Sequence, residues 1–219
     1  MEILRINLDD SSSWLSAHAR MRETIESKGT VIFPTDTIYG LGCNALDETA
    51  VRKTFLIKGR DAEKSLPLFV RELAQARSVA SINKSQECFL KKVWPGKVTA
   101  VLKKRSELSG IVTGEKETAG IRIPNFPFIN VFMEAISFPI IGTSANISGK
   151  QPFGDGASAF SYFKEQKFQP DLIIDAGRLP DSKPSTVVDL TVLTIVREGA
   201  VAREDIFRWW GDCLAEKTI

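Results

Sequence analysis

Histidine and cysteine are scarce in this sequence of 219 residues. The only histidine, His18, falls in a predicted surface helix, which argues against a Ser-His-Asp triad and against a zinc centre built on histidine and cysteine. Cys43, Cys88 and Cys213 are odd in number and far apart, so neither a disulfide framework nor a CxxC metal site is predicted. These residues therefore indicate no metal site.

Long hydrophobic runs are also missing. No apolar stretch approaches the roughly 20 residues that a bilayer-spanning helix needs, and the N-terminal MEILRINLDD shows no secretory signal. We therefore expect no membrane contact and a reducing, cytoplasmic location.

Neither sign of charge dominates, since 29 basic residues face 27 acidic ones and the net charge is +2. This balance gives no general argument for nucleic-acid binding, so any anion specificity must come from local placement of lysine and arginine. The nucleotide-binding fingerprints GxxxxGK(S/T) and GxGxxG are both absent. A bound nucleotide would therefore not be held by a P-loop or a Rossmann turn.

What the sequence does contain is a mixture of short apolar strands and amphipathic helices without strict alternation. This pattern predicts an α/β (α+β) fold, with a twisted, mostly mixed sheet flanked by helices in one domain over 1–219. The stretches 103–118 and 177–185 are predicted as loops able to move over a site, with plain surface loops as the alternative. Helices are predicted at about 14–28, 47–57, 72–80, 84–93, 127–137, 157–166 and 203–215, and strands at 30–33, 66–70, 98–102, 119–123, 139–142, 172–175, 186–190 and 193–197.

Five polar clusters each stand where an apolar strand or helix ends. In the first, glycines beside threonines and a tyrosine would let the backbone approach a ligand closely, with an ordinary turn as the alternative. The five clusters are PTDTIYGLG (34–42), KGRDAEK (58–64), AGIRIP (119–124), TSANISGK (143–150), and Ser185-Thr186 together with VREG (196–199).

Two of these clusters concentrate positive charge. Lys58, Arg60 and Lys64 follow a predicted helix end, where one cation would suffice to complement the helix dipole. Three cations also suit a polyphosphate, because arginine offers a planar fork and lysine a point charge. Arg122 lies in a strand between isoleucines and needs an anionic partner if half-buried, either a protein carboxylate or a ligand.

The cluster TSANISGK admits two interpretations. Small hydroxyl and amide side chains can hydrogen-bond their own backbone in a turn, or they can hold phosphate or carboxylate oxygens. Ser144 and Asn146 are two apart in an extended segment, so they should point the same way while Ala145 packs on the opposite side.

Seven stretches, taken together and in order, resemble the YrdC-like family of threonylcarbamoyl-adenylate synthases. The resemblance covers about 10–208 and implies a YrdC/RibB-like fold with a concave basic cleft. The stretches are GTVIFPTDTIYGLGCNA (29–45), the K-x-R-x3-K run (58–64), WPGKVTAVLKK (94–104), GIRIP (120–124), PIIGTSANISGKQP (139–152), STVVDL (185–190) and VREGAV (196–201).

The resemblance implies an enzyme, a nucleotidyltransferase that makes threonylcarbamoyl-AMP and pyrophosphate from L-threonine, bicarbonate and ATP. Mg²⁺ is expected on the ATP phosphates. The product would pass to a downstream threonylcarbamoyl-transferase complex that modifies an adenosine of tRNA, and direct contact with tRNA or double-stranded RNA is a further expectation.

The resemblance also implies roles for individual residues. Asp61 and Phe69 depart from the family's commonest pattern, at the turn after Arg60 and near the threonine site, and no general base is assigned. The implied catalytic set is Lys58, Arg60, Ser144 and Asn146; the threonine set is Thr37, Arg122, Gly142 and Ser185; the ATP set is Arg60, Lys64, Ser144, Asn146 and Arg197.

Two alternatives remain open at this level. A concave basic surface could hold double-stranded RNA or tRNA without any chemistry. YrdC-like domains also occur in carbamoyltransferases, although usually beside acylphosphatase and zinc-finger segments that this sequence does not show.

Overall fold

The computed structural model describes residues 1–215 and arranges them as two mixed sheets with helices packed on their faces. The strands are β1 (Glu2–Arg5), β2 (Val31–Phe33), β3 (Gly40–Gly42), β4 (Leu68–Phe69), β5 (Val98–Lys103), β6 (Thr118–Arg122), β7 (Ile140–Ile141), β8 (Thr143–Ser144), β9 (Leu172–Asp175), β10 (Thr186–Asp189) and β11 (Thr194–Arg197). The helices are α1 (Trp14–Glu26), α2 (Glu48–Lys58), α3 (Leu73–Val79), α4 (Lys84–Val93), α5 (Gly110–Thr113), α6 (Pro127–Glu134), α7 (Gly156–Phe163) and α8 (Arg203–Ala215).

The first sheet has the strand order β1-β9-β2-β3-β8, and the second has the order β11-β10-β5-β6-β4-β7. In the first sheet β9 is parallel to β1 and β2, whereas β3 is antiparallel to β2 and β8. In the second sheet β10 is parallel to β5, and β6 is antiparallel to β5. The chain passes from the second sheet to the first at Gly142, between β7 and β8.

The predicted mixed α/β class is confirmed, but the strands form two sheets where the sequence suggested one. The predicted strand at 139–142 is divided between the sheets, because β7 pairs with β4 and β8 pairs with β3. The strands β1 and β3 were not predicted. β3 consists of a leucine between two glycines, in a stretch for which an ordinary turn was the alternative to a ligand site. Periodicity indicates that a strand exists, not which strand it pairs with.

Side-chain caps explain where several helices begin. The carboxylates of Asp47 and Asp155 accept hydrogen bonds from Ala50 N and Ser158 N, so α2 and α7 start next to these residues. Asn83 and Gln86 form a reciprocal capping box at the start of α4. The start of α2 at Asp47 was predicted from the sequence and is confirmed.

One local prediction was wrong. The stretch 103–118 was expected to be a loop, but it contains α5, whose Val112 is fully buried and accepts a hydrogen bond from Leu66 N through its carbonyl. This packing ties the stretch to the body of the protein.

Three apolar clusters hold the layers together. One contains Phe89, Leu90 and Ile121 and lies against the second sheet; the second packs α1 and α6 on the first sheet. The third covers the other face of the first sheet with α7 and includes Ala145. Burying each large apolar side chain stabilises the fold by about 1.5–3 kcal/mol, so both sheets have substantial packing beneath them.

The cysteine prediction was wrong, because Cys88 and Cys213 form a disulfide between α4 and α8. They are 125 residues apart in sequence, yet their Cα atoms lie 5.7 Å apart because the two helices pack together. Cys43 is the buried free thiol. Within residues 1–215, no helix is both long and apolar enough to cross a membrane.

Candidate functional site

A cavity of about 420 Å³ lies between the two sheets and contains residues from all five polar clusters. The first sheet and its loops contribute Thr35, Thr37, Ile38, Tyr39, Gly40, Thr143, Ser144, Asn146, Lys150 and Pro152. The second sheet and its loops contribute Pro67, Phe69, Thr99, Val101, Thr118, Gly120, Arg122, Pro184, Ser185, Val187, Val196 and Arg197. Arg60, Ser65 and Gly142 complete the wall.

Eight of the ten residues predicted for the site line this cavity, namely Thr37, Arg60, Arg122, Gly142, Ser144, Asn146, Ser185 and Arg197. Lys58 and Lys64 do not. Lys64 is exposed, and its carbonyl accepts a hydrogen bond from Arg60 Nε at 3.3 Å. The cavity therefore unites most, but not all, of the predicted set.

Lys58 is buried behind the cavity wall, with 1% of its surface exposed. Its ammonium donates hydrogen bonds to Ser144 O, Asn146 O and Asn146 Oδ1, and its own carbonyl accepts one from Ser148 N. Burial, followed by the charge of Arg60, lowers the pKa of Lys58 to about 7. Lys58 thus holds the segment that carries Ser144 and Asn146 rather than facing the cavity.

Ser144 and Asn146 point to the same side, as the alternation predicted. Ser144 Oγ donates to Asn146 Oδ1, and Asn146 Nδ2 donates to Lys150 O. Ala145 between them is fully buried in the third apolar cluster. The segment is therefore braced on both faces, and its polar atoms line the cavity in a defined arrangement.

Arg60 enters the cavity because α2 ends at Gly59, whose left-handed backbone (φ 53°) turns the chain. Its guanidinium donates through Nε to Lys64 O and through Nη2 to Ser65 O. It makes no ion pair within residues 1–215. Its positive charge is therefore uncompensated, and partial burial lowers its pKa.

Arg122 does have a carboxylate partner, which the sequence left undecided. Nη2 lies 2.6 Å from both carboxylate oxygens of Asp36, and the two side chains are 3% and 8% exposed. Nε donates to Gly96 O at 2.7 Å and Nη1 to Thr37 Oγ1 at 3.4 Å. Asp36 was not named from the sequence, although it lies inside the cluster PTDTIYGLG.

Ser185 belongs to a chain of hydroxyl and guanidinium groups. Its Oγ is 2.8 Å from Thr99 Oγ1, and Arg197 Nη2 donates to both Ser185 O and Ser185 Oγ. Thr99 was also missed at the sequence level, since it lies within the strand of WPGKVTAVLKK and carries no other signal. Arg197 lies on the edge strand β11 and lines the cavity next to Ser185.

Gly142 and Phe69 pack in direct contact. A Cβ placed on Gly142 would lie 2.4 Å from Phe69 Cδ1, so no side chain fits there without displacing the ring. The Gly142 N–H is already committed to Pro67 O. Only the Gly142 carbonyl is left for a ligand, and a carbonyl would suit an ammonium rather than a carboxylate. The Phe69 ring also lies beside the Arg122 guanidinium, with Cζ 5.6 Å from the ring centroid.

The charges of the cavity wall have one sign in the described part of the chain. Arg60, Arg122, Lys150 and Arg197 line it, and no carboxylate of residues 1–215 does; Asp36 contacts Arg122 but is not part of the wall. Such a wall, with hydroxyls and an amide among the cations, suits a ligand that carries several negative charges.

Comparison with known proteins identifies the family of this chain. Residues 23–199 match the model of the Sua5/YciO/YrdC family, described as telomere recombination. The chain is 35% identical over 190 residues to a putative threonylcarbamoyl-AMP synthase of Methanocaldococcus jannaschii, covering 86% of this chain and 88% of that protein.

A second relative, the threonylcarbamoyl-AMP synthase of Pyrococcus abyssi, is 36% identical over 185 residues, or 83% of this chain. This chain spans about half of that relative's length, 54%. The crystal structure of P. abyssi Sua5 complexed with L-threonine superposes with a TM-score of 0.83 at 32% identity, over 95% of this chain and 60% of that one.

Proposed function

This chain belongs to the Sua5/YciO/YrdC family, and we propose that it is an L-threonylcarbamoyladenylate synthase, a nucleotidyltransferase that converts L-threonine, bicarbonate and ATP into threonylcarbamoyl-AMP and pyrophosphate. One observation carries the proposal. A single cavity brings Arg60, Arg122 and Arg197 together with Ser144 and Asn146, and residues 1–215 place no carboxylate in its wall. A relative of the same fold has been crystallised with L-threonine.

The first chemical step would join threonine to bicarbonate. The lone pair of the amine attacks the carbon of bicarbonate, a C–N bond forms, and water leaves to give a carbamate. The cavity wall must hold two anions, bicarbonate and the carboxylate of threonine, close together. Bringing them together costs free energy in water, and fixed cations beside them lower that cost.

The second step would transfer the adenylyl group. An oxygen of the carbamate attacks the α-phosphorus of ATP, a new P–O bond forms, and the bond to the β-phosphate breaks to release pyrophosphate. Negative charge spreads over the phosphate oxygens in this step. The N–H groups of Arg60 that do not bond Lys64 O or Ser65 O can donate hydrogen bonds to these oxygens. Neither step needs a nucleophilic side chain.

The residue roles follow this scheme. Thr37, Arg122, Gly142 and Ser185 would bind threonine, with the Gly142 carbonyl facing its amine. Arg60, Ser144 and Asn146 would contact ATP, while Lys58 would act by holding their segment. Lys64 and Arg197 were also predicted to bind ATP, and these two assignments stay predictions.

A resident Mg²⁺ ion does not fit this wall. Mg²⁺ prefers carboxylate, phosphate and water oxygens, and within residues 1–215 the wall offers cations, hydroxyls and one amide. Mg²⁺ would therefore arrive with ATP as part of the substrate, and no step is assigned to it here.

The recipient of the product and the location of the protein are further proposals. The adenylate would pass to a downstream threonylcarbamoyl-transferase complex for modification of tRNA, in the cytoplasm. Direct contact with tRNA or double-stranded RNA, and a concave basic cleft that would provide it, remain predictions from the sequence.

A pyrophosphate-release assay tests the proposed function. We expect release only when an amino acid, bicarbonate and ATP are all present, and faster release with L-threonine than with L-serine. Arg60→Ala removes donors to developing negative charge, and Ser144→Ala removes the hydroxyl that holds the Asn146 amide in place, so each should lower the rate by at least about tenfold. Arg22→Ala, on the exposed face of α1, is the matched control and should leave the rate unchanged.

The outcomes separate the alternatives. An RNA-binding module would release no pyrophosphate and would bind RNA with an affinity that falls steeply with salt. A carbamoyltransferase-type domain would cleave ATP with carbamoyl phosphate in place of bicarbonate and threonine. Near-normal activity in both Arg60→Ala and Ser144→Ala would refute the site assignment.

A further inference from the structure

We propose that Gly114, which directly follows α5, is a positioning residue for Arg60. Close packing of α5 against the loop 60–65 sets the direction in which the Arg60 guanidinium points. This inference rests on the proposed function, since it concerns the residue that would contact the phosphates of ATP. Gly114 itself is not part of the cavity wall, so it acts through the loop.

The direction of the Arg60 guanidinium is set by its own loop. Arg60 Nε donates to Lys64 O at 3.3 Å, and Nη2 donates to Ser65 O at 3.0 Å. The loop is closed by two short-range hydrogen bonds, from Lys64 N to Asp61 O and from Glu63 N to Asp61 Oδ1. Any movement of the carbonyls of Lys64 and Ser65 therefore also turns the guanidinium.

The segment of α5 contacts this loop on both sides of the two carbonyls. After them, Leu66 N donates to Val112 O at 2.8 Å. Before them, the backbone of Glu63 packs against Gly114. A Cβ placed on Gly114 would lie 2.5 Å from Glu63 C and 3.1 Å from Glu63 Cα, and closer still to Glu63 O. The acceptors of Arg60 are thus held between two contacts with α5.

Glycine is required at position 114 for two separate reasons. Its φ of 59° lies in the left-handed region, which glycine adopts without steric cost. The atoms that a Cβ would meet also belong to the main chain of Glu63, which cannot rotate away as a flexible side chain would. A side chain at position 114 must therefore displace either α5 or the loop 60–65.

The loop is the part that would move, because α5 is anchored in the core. Val112 and Thr113 are fully buried, and Val112 belongs to the apolar cluster against the second sheet. Ser109 Oγ donates to Glu48 Oε1 at 2.6 Å, which ties the start of α5 to the first turn of α2. Residues 61–64 are exposed, and a segment with few buried contacts is displaced more easily than a packed helix.

A displaced loop would misplace the donors that Arg60 offers to ATP. Of its five N–H groups, two on Nη1 and one on Nη2 have no acceptor within residues 1–215. An error of about 1 Å in the position of a group at the reacting centre can lower the rate about a hundredfold. The stretch 103–118 would accordingly support the site as a fixed brace instead of moving over it.

Steady-state kinetics and ATP binding test the proposal. We expect Gly114→Ala to lower kcat/KM for ATP by at least about tenfold and to raise the calorimetric Kd of ATP by at least about fivefold. KM for threonine should change by less than about twofold. Gly177→Ala is the matched control, because Gly177 has a φ of 72° and a Cβ there meets nothing within 4 Å. It adds similar backbone strain without displacing a neighbour, and both ATP constants should stay within about twofold of wild type.

A double variant shows whether Gly114 acts through Arg60. In the Arg60→Ala background the guanidinium is gone, so adding Gly114→Ala should lower kcat/KM for ATP by less than about a further twofold. A merely structural role of Gly114 would give the same fold loss in both backgrounds.

If Gly114→Ala does not fold, Val112→Ala takes its place in the same comparison. It loosens the core packing of α5 and leaves the backbone carbonyl that bonds Leu66 N in the chain. We expect it to lower kcat/KM for ATP by at least about threefold in the wild-type background and by less than about 1.5-fold in the Arg60→Ala background.

The contrary results are distinct. Unchanged ATP constants in a folded Gly114→Ala protein, or equal fold losses in the two backgrounds, would overturn the positioning role. Wild-type protein that binds ATP but releases no pyrophosphate with all three substrates would instead refute the proposed function, and the Kd of ATP in the variants would still test the role of Gly114.

Discussion

The carboxylate of Asp36 accepts hydrogen bonds from the guanidinium of Arg122 across the gap between the two sheets, and Arg122 Nη2 lies 2.6 Å from each carboxylate oxygen. Asp36 lies in the connection between β2 and β3 of the first sheet, and Arg122 is the last residue of β6 in the second. The pair therefore joins the two walls of the cavity and limits what Arg122 can donate to a ligand.

Asp36→Asn should destabilise the protein by about 3–5 kcal/mol, because it leaves a buried guanidinium without its charge partner. KM for threonine should rise, since Arg122 loses its fixed orientation. Urea unfolding measures the first effect. Glu26→Gln, which breaks the exposed pair with Arg22, is the control and should cost less than about 1 kcal/mol. Equal losses in the two variants would contradict the role given to Asp36.

Lys58→Met should lower pyrophosphate release by at least about tenfold, because Ser144 O and Asn146 O lose the donor that holds their segment. Circular dichroism should show the fold retained. The exposed Lys103→Met, at the end of β5, should behave as wild type.

The pH dependence of the same residue provides another check. The pKa of Lys58 is lowered to about 7, and the protonated form has three donors for its three acceptors whereas the neutral amine has two. The protonated form holds the segment, so kcat/KM for ATP should fall as pH rises above about 7. A profile that keeps this alkaline limb in Lys58→Met would assign it to another group.

Gly142→Ala should destabilise the fold by about 1–3 kcal/mol and abolish most activity, because the new methyl group must displace the Phe69 ring from beside Arg122. Gly154→Ala is the matched control, since a Cβ at Gly154 meets nothing within 4 Å. Thermal unfolding and pyrophosphate release measure the two effects, and an active, stable Gly142→Ala protein would refute the close packing.

Replacing both Cys88 and Cys213 by serine should lower the free energy of unfolding by roughly 2–5 kcal/mol, because the disulfide closes a long loop in the unfolded chain. Urea unfolding with and without dithiothreitol measures this. The reductant should weaken the wild type and leave the double variant unchanged. A wild-type protein insensitive to reductant would show that the bond does not form.

His18 should make stability depend on pH below neutrality. Burial against Phe128 and Phe132, partly offset by the bond to Phe128 O, lowers the pKa of His18 below 6.5. The unfolded chain therefore takes up the proton first, and stability is lost as pH falls from about 6.5 through the folded pKa. In His18→Gln the difference in unfolding free energy between pH 7.5 and pH 5 should be smaller than in wild type; an unchanged difference would argue against this effect.

Much of the site could be predicted from the sequence because its chemistry is local. Arg60, Ser144, Asn146 and Arg197 stand in short polar segments after apolar ones, and such segments are found at the ends of strands and helices whatever the topology. The alternation of Ser144, Ala145 and Asn146 likewise follows from the twofold period of extended backbone.

Other features depend on contacts between residues distant in sequence, which no local pattern encodes. The ion pair of Asp36 with Arg122 and the hydrogen bond between Thr99 and Ser185 each join residues that are 86 apart in sequence. The disulfide of Cys88 with Cys213 joins residues that are 125 apart. Lys58 is of a residue type that often binds phosphate. In the folded chain, however, its ammonium group donates to the carbonyls of Ser144 and Asn146. The assignment of β7 and β8 to different sheets belongs here as well.

The sequence by itself determined which residue types are available to the site, where the helices capped by Asp47 and Asn83 begin, and the resemblance to a family. Only the tertiary structure decided which cations keep free donors and which are used up by protein acceptors. The physical reason is that a hydrogen-bond donor can be committed by any part of the chain that packs against it, and packing is set by the whole fold.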